Sequence, residues 1–204
     1  MATTALATAT APTTSLTAAT PPWLAALRAR TPPGDAVLDL GCGCGIPVAR
    51  SLAQAGYRVT GVDVSWVELR RARRLVPTAR FLHADATRVA FPAEAFDAVV
   101  CLYVLVHLPL QEQPVLLRRI AGWLRPGGWL LGSGTAQGPW TAQGPWTGTE
   151  DGWLGGPAPM WWSHADAVTY RAWIQAAGLR VTEQEIIPEE KGGHVLFWAR
   201  PPPG

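Results

Sequence analysis

Three carboxylates and a run of glycines carry the chemistry most readily read from this chain. In Asp39-Leu40-Gly41-Cys42-Gly43-Cys44-Gly45 an acid stands just ahead of alternating glycines. Glycines in such a turn let the backbone approach a ligand closely and adopt positive φ. A dinucleotide site calls for G-x-G-x-x-G. Counted from Gly41, the third glycine falls at Ile46, and the pattern is D-x-G-x-G-x-G instead. The acid at Asp39 opposes a pyrophosphate and suits a ligand with an ammonium group and no phosphate. Asp63, 18 residues after Gly45, suits a ribose, because one carboxylate accepts from both hydroxyls. Asp85, in His83-Ala84-Asp85-Ala86, is placed to accept from an adenine amino group while the Ala86 amide meets a ring nitrogen. An isolated Asp usually caps a helix or turn. Three acids at the ends of three successive strands are a stronger signal, since open α/β sheets bind ligands there.

These residues need a scaffold, and the chain alternates the right elements. Short apolar runs at Ala36–Leu40, Arg58–Val62, Ala79–Leu82, Phe96–Leu102 and Trp129–Leu131 read as strands. Between them, Ile46–Ala55 reads as a helix stopped by Gly56, Ser65 and Glu68 form a capping box, and Leu116, Leu117, Ile120 and Leu124 make a helical stripe. Pro126-Gly127-Gly128 reads as a turn. Ser163-His164-Ala165-Asp166 opens a further helix with Ser163 as N-cap, ending at Gly178. The runs 179–187 and 194–199 form an antiparallel hairpin that closes the sheet. The expected fold is α/β: a Rossmann-like seven-stranded mixed sheet with helices on both faces and an antiparallel last strand. Residues 1–22, rich in Ala, Thr and Pro, are expected to be a disordered tail, and 23–204 one domain. Within it, 135–163 is a long loop rich in Trp, Gly and Pro, expected to act as a lid. It holds a tandem repeat, Thr135–Trp140 recurring as Thr141–Trp146, which reads as a recent duplication.

Composition narrows the function. The 204 residues carry a net charge of +2, and Lys191 is the one lysine, so no nucleic-acid partner is expected. Arg70, Arg71, Arg73 and Arg74 read as a solvated helix face. No apolar run reaches the ~18 residues of a membrane span. Three cysteines are too few for a disulfide framework, and Cys42 and Cys44 are spaced too closely for a zinc pair. A cytoplasmic protein without a metal, monomeric or homodimeric, is expected.

The ordered set VLDLGCGCGIPVARSLA, GVDVS, HADAT, FDAVVCLYVLVHL and LRPGGWLL resembles the successive motifs of class I S-adenosylmethionine (SAM)-dependent methyltransferases, over roughly residues 35–134. The core is most similar to small bacterial enzymes grouped with the ubiquinone/menaquinone biosynthesis methyltransferases. The resemblance implies SAM as cofactor and S-adenosylhomocysteine as product. It implies that Asp39, Gly41, Cys42, Gly43 and Gly45 border the methionine part, and that Asp63 and Val64 flank the ribose. Asp85 and Ala86 would meet the adenine, and Cys101 and Leu102 the sulfonium end. Trp66 departs from the family, which usually has Pro there. The stretch from Trp153 to Asp166 resembles a C-terminal segment of small bacterial members and names no acceptor.

A small-molecule acceptor, methylated at oxygen, nitrogen or carbon, is the expected partner. A general base is needed only if it arrives protonated. His107 is a candidate base or cofactor wall, His164 a candidate base or acceptor-orienting group, and Tyr103 a candidate acceptor-orienting residue or packing group. His83 reads as structural, and His194 has no nameable partner. Residues 101–104, Cys-Leu-Tyr-Val, lack the Asp/Asn-Pro-Pro-aromatic motif of adenine-N6, cytosine-N4 and glutamine methylation. Seven of the eleven tryptophans lie from Trp140 onward, either an aromatic lid over a flat or apolar acceptor or core packing. The rival readings are an NAD(P)-dependent Rossmann oxidoreductase and a non-catalytic SAM-binding module.

Overall fold

β1 (Ala36–Leu40) is buried along its whole length, the behaviour of a central strand covered on both faces. In the computed structural model, which describes residues 21–135, 145–152, 155–189 and 192–202, it lies near the middle of a seven-stranded sheet. The other strands are β2 (Arg58–Asp63), β3 (Arg80–His83), β4 (Phe96–Cys101), β5 (Leu124–Thr135), β8 (Arg180–Glu189) and β9 (Gly192–Arg200). The order is β3-β2-β1-β4-β5-β9-β8. The first five are parallel, and β9 runs antiparallel to both β5 and β8. This is the expected mixed sheet with its last strand antiparallel.

Side-chain alternation assigns β1 to two cores. Ala36, Leu38 and Leu40 join Leu116, Leu117 and Ile120 of α4 (Gln113–Trp123) and Tyr170 and Ile174 of α5 (Ala167–Ala176). On the other face, Val37 joins a core built from α1 (Pro22–Arg30), α2 (Val48–Gln54) and α3 (Trp66–Leu75). Asp39 shares the Val37 parity, so its carboxylate points into this second, otherwise apolar layer. Each fully buried Leu or Val contributes roughly 1.5–3 kcal/mol. Leu38, Leu40, Val62, Val99 and Leu130 are all completely buried, which fixes the strand register beneath the site. The capping box of α3 forms as expected, with Ser65 Oγ accepting from the Glu68 amide at 3.3 Å.

Several expectations change. Pro126-Gly127-Gly128 is a bulge inside β5 and not a turn: pairing runs from Phe96↔Leu124 directly to Ala98↔Trp129. Ser163 is not a helix cap. It lies buried in β7 (Met160–His164), and the cap of α5 is Asp166, whose Oδ1 accepts from the Thr169 amide at 2.7 Å. Much of the expected 135–163 loop is sheet: β6 (Trp146–Glu150) pairs antiparallel with β7, from Trp146↔His164 to Glu150↔Met160. Residues 136–144, which hold most of the tandem repeat, and 153–154 lie outside the described residues. So do residues 1–20 of the expected tail, whereas Pro22 opens α1.

Gly61, in β2, tests this packing. A Cβ there meets Phe81 Cδ1 at 2.7 Å and Cys42 Sγ at 2.8 Å, both in buried side chains. Gly61→Ala is expected to destabilise the fold by about 1–3 kcal/mol, as overpacking does. An unchanged midpoint in chemical denaturation contradicts the packing described.

Candidate functional site

The carboxyl ends of the parallel strands meet at the glycine turn. Gly41 and Cys42 donate their amides to the Val62 carbonyl at 2.8 and 3.0 Å, which ties the turn to β2. Gly41 has φ +75°, and a Cβ on it would lie 2.3 Å from Val104 Cγ2. Only glycine therefore lets the segment after β4 close over the turn. At Gly43, with φ +51°, a Cβ would meet nothing within 4 Å, so the backbone there faces open space.

Two carboxylates flank this turn. Asp63 is held by the backbone: Oδ2 accepts from the Gly43 amide at 2.7 Å and Oδ1 from the Ser65 amide at 2.8 Å. A carboxylate has about four lone-pair sites, so each oxygen retains capacity for a ligand hydroxyl. Asp39 is 4% exposed, and its Oδ2 has no hydrogen-bond partner in the protein. Burial, reinforced by the charge of Asp63 and only partly offset by the Ala49 amide, pushes its carboxyl up to about 7. A buried carboxyl oxygen without a partner, beside a second carboxylate, is an unmet demand for a donor or a cation.

The remaining cofactor candidates border the same rim. The Ala84 amide donates to the Asp63 carbonyl at 3.1 Å, joining the Asp85 loop to β2. Asp85 Oδ1 accepts from the Thr87 amide and hydroxyl, each at 2.8 Å, which shapes the turn that presents Ala86. Val64 is exposed, and its carbonyl lies 2.9 Å from His83 Nε2. His83 in turn contacts the Trp66 ring, with centroids 5.6 Å apart, so the two form an aromatic pair at this rim. Cys101 sits opposite Leu40 in the β1–β4 register, with Leu102 following it. Burial pushes the Cys101 thiol up to about 12 and raises Cys42 further, so neither is a thiolate at neutral pH.

The three catalytic candidates gather in a second cluster beside the first. Tyr103, next to Val104, is half exposed and holds φ +59°, and its amide donates to Ser133 Oγ at 2.7 Å. Its ring packs edge-to-face on His194, with centroids 4.5 Å apart. His194 pairs with Thr135 across β5–β9, and Thr135 Oγ1 lies 2.5 Å from His164 Nδ1. His164 stacks between Trp146 and Trp162, and Trp162 stacks on His107 at 4.9 Å. The His107 ring also donates to the Trp161 carbonyl. Burial lowers His107, and burial with repulsion from His107 and His194 pushes His164 down to about 4. Both are neutral imidazoles at pH 7.

Sequence reasoning missed His194 and Gln113. Gln113, fully buried, donates to the carbonyls of Leu108 and Ser163 at 2.9 and 3.0 Å and so ties β7 to the core. Neither carries a local signal: His194 gains its meaning from the β5–β9 pairing, and Gln113 from a contact 50 residues away. Among the described residues, no group of three or more His, Cys, Asp and Glu is arranged to hold a metal.

Comparison with known proteins agrees with this fold. Residues 37–128 match the model of a family described as a methyltransferase domain. The chain is 38% identical over 100 residues to 2-methyl-6-phytyl-1,4-hydroquinone methyltransferase of Synechocystis sp., covering 47% of this chain and 30% of that protein. It is 40% identical over 106 residues to an uncharacterized methyltransferase of Mycobacterium bovis, covering 50% and 52%. The chain thus spans about half or less of the curated relatives it matches. Among solved structures, an S-adenosylmethionine-dependent methyltransferase from Mesorhizobium loti shares the fold, with a TM-score of 0.69, 22% identity, and 86% and 96% of the two chains covered. Over residues 37–128, somewhat less than half of its length, this chain is therefore similar to a methyltransferase domain.

The desolvated Asp39 has a measurable consequence. Its folded carboxyl keeps its proton up to about pH 7, whereas an unfolded one loses it near the ordinary 3.8. Ionisation between those values weakens the ligand-free fold, so stability falls as pH rises through this window. Asp39→Asn is expected to stabilise the ligand-free protein by about 1–3 kcal/mol at pH 8, with most of the gain gone at pH 5. Thermal melts at the two pH values check this; a destabilised variant at pH 8 contradicts it.

Proposed function

We propose that this protein transfers the methyl group of S-adenosylmethionine to a small-molecule acceptor and releases S-adenosylhomocysteine. The observation that carries the reading is the buried carboxyl of Asp39, whose Oδ2 lacks a partner beside Asp63 under an open glycine turn. The ligand's ammonium group answers that demand, and its ribose diol suits the pre-oriented oxygens of Asp63. Asp85 and the Ala86 amide serve the adenine, and Val64, Cys42, Gly41, Gly43 and Gly45 line the path between. Cys101 and Leu102 lie at the sulfonium end. The same pair of carboxylates repels a pyrophosphate, which disfavours a nicotinamide dinucleotide.

Bound SAM supplies an activated methyl group whose leaving group needs no protonation. The protein's task is to hold the acceptor in line and exclude water, which can contribute roughly 7–11 kcal/mol in favourable systems. We assign Tyr103 and His164 to positioning. With its imidazole pushed down to about 4, His164 is a weak base, and its bond with Thr135 and its stacking on Trp162 suit it to fixing the wall. His107 is the residue we assign to accept a proton from an acceptor that arrives protonated.

No helix among the described residues is long and apolar enough to cross a membrane. The free cysteines Cys42, Cys44 and Cys101 suit the cytoplasm, where we place the protein as a monomer or homodimer that does not act on nucleic acid.

Asp63→Ala removes a charge-assisted contact and is expected to weaken S-adenosylhomocysteine binding by at least ~2 kcal/mol, roughly 30-fold. Calorimetric titration reads this directly, and unchanged affinity sinks the assignment of Asp63. Incubating the wild type with methyl-labelled SAM and a cell extract tests the reaction itself. Label is expected in the small-molecule fraction; label confined to protein or nucleic acid overturns the acceptor class.

A further inference from the structure

The cluster beside the glycine turn is composed of rings. Tyr103 adjoins Val104, which packs against Gly41, so this cluster borders the methyl-donor site. Thr135 and His194 are direct partners across β5–β9, and such partners project from the same sheet face. Because Thr135 reaches His164 and His194 reaches Tyr103, the β6–β7 hairpin and the Tyr103 ring stand on that one face. From the hairpin side, Trp146, His164, Trp162 and His107 form a continuous stack, with interplanar angles of 14°, 21° and 28°. Such a stack is preorganised, since each ring is held by the next.

Tyr103 differs from the others. It holds a left-handed backbone conformation that is costly for an aromatic residue, and it remains 50% exposed. Strain of that kind persists where surrounding structure enforces it, commonly at ligand sites. Here the Ser133 bond and the His194 edge contact enforce it. The result is a large ring displayed to solvent next to the cofactor turn.

Resting on the methyltransferase reading above, we propose that the acceptor is an uncharged planar aromatic molecule that lies on the exposed side of Tyr103, in a wall completed by His194, His164, Trp162 and His107. Aromatic rings favour offset or edge contacts with such a wall. His164 is 9% exposed and Trp162 and His107 are partly buried, so a charge brought against this wall loses hydration that no side chain there replaces.

The test uses the full-length protein loaded with S-adenosylhomocysteine and three calorimetric titrations. 1-Naphthol offers an uncharged aromatic bicycle, decahydro-1-naphthol the saturated equivalent, and 1-naphthalenesulfonate the same rings with a fixed charge. 1-Naphthol is expected to bind roughly tenfold tighter than either analogue. Tyr103→Asn, a residue that tolerates positive φ, is expected to lose roughly fivefold of that affinity, and Tyr103→Phe to retain it. Equal or tighter binding of either analogue, or no binding of 1-naphthol, overturns the proposal, as does full affinity in Tyr103→Asn. Titrating S-adenosylhomocysteine into the ligand-free protein reads the methyltransferase proposal separately. If that titration is silent, the naphthol series on ligand-free protein still decides whether the aromatic site exists.

Discussion

The site depends on an electrostatic conflict that the fold maintains. Asp39 projects from a fully buried strand into an apolar layer, with Asp63 on the neighbouring strand. Burying an unpaired carboxylate costs several kcal/mol unless the group keeps its proton or finds a cation. The protein offers no hydrogen-bond partner to Asp39 Oδ2, and Asp63 adds repulsion. Removing Asp39 is expected to relieve the ligand-free state and to weaken the proposed site. This is the trade between stability and function expected where a local rule is broken at a binding site.

Everything around that pair serves to hold it still. The parallel strands bring Asp39, Asp63 and the Asp85 loop to one edge, because strands of a parallel sheet all end on the same side. The glycine turn then crosses from β1 to α2 under the Val62 carbonyl, and Gly41 admits the Val104 side chain. The apolar faces of α2, α3, α4 and α5 make this edge rigid, since close-packed cores do not deform by fractions of an ångström without cost.

The second half of the site has a different physical character. The β6–β7 hairpin joins the core through the buried Gln113 amide, the Thr135–His164 bond and the ring stack on His107. Hydrogen bonds and ring contacts of this kind fix position more than they stabilise. Two imidazoles sit inside the cluster as neutral rings, held there by burial, so the wall is aromatic in effect as well as in composition.

By itself the sequence determined the half of the protein whose meaning is local. The order of strands and helices to β5, the D-x-G-x-G-x-G turn, Asp63, the Asp85 loop and the capping box on Ser65 are each written within a few residues, because backbone conformation and strand polarity act at that range. Where signals of short range competed, the wrong one was easily chosen. Ser163 and Asp166 both suit an N-cap, and only the pairing of Ser163 with Thr147 leaves the role to Asp166. Pro126-Gly127-Gly128 suits a turn, and only the continued pairing of β4 with β5 makes it a bulge. The tertiary structure alone decided the ring cluster. His107, Thr135, His164 and His194 belong to four separate elements, and no spacing along the chain relates them. Sheet pairing sets their distances, and the desolvation that makes the histidines neutral exists only once the layers have closed.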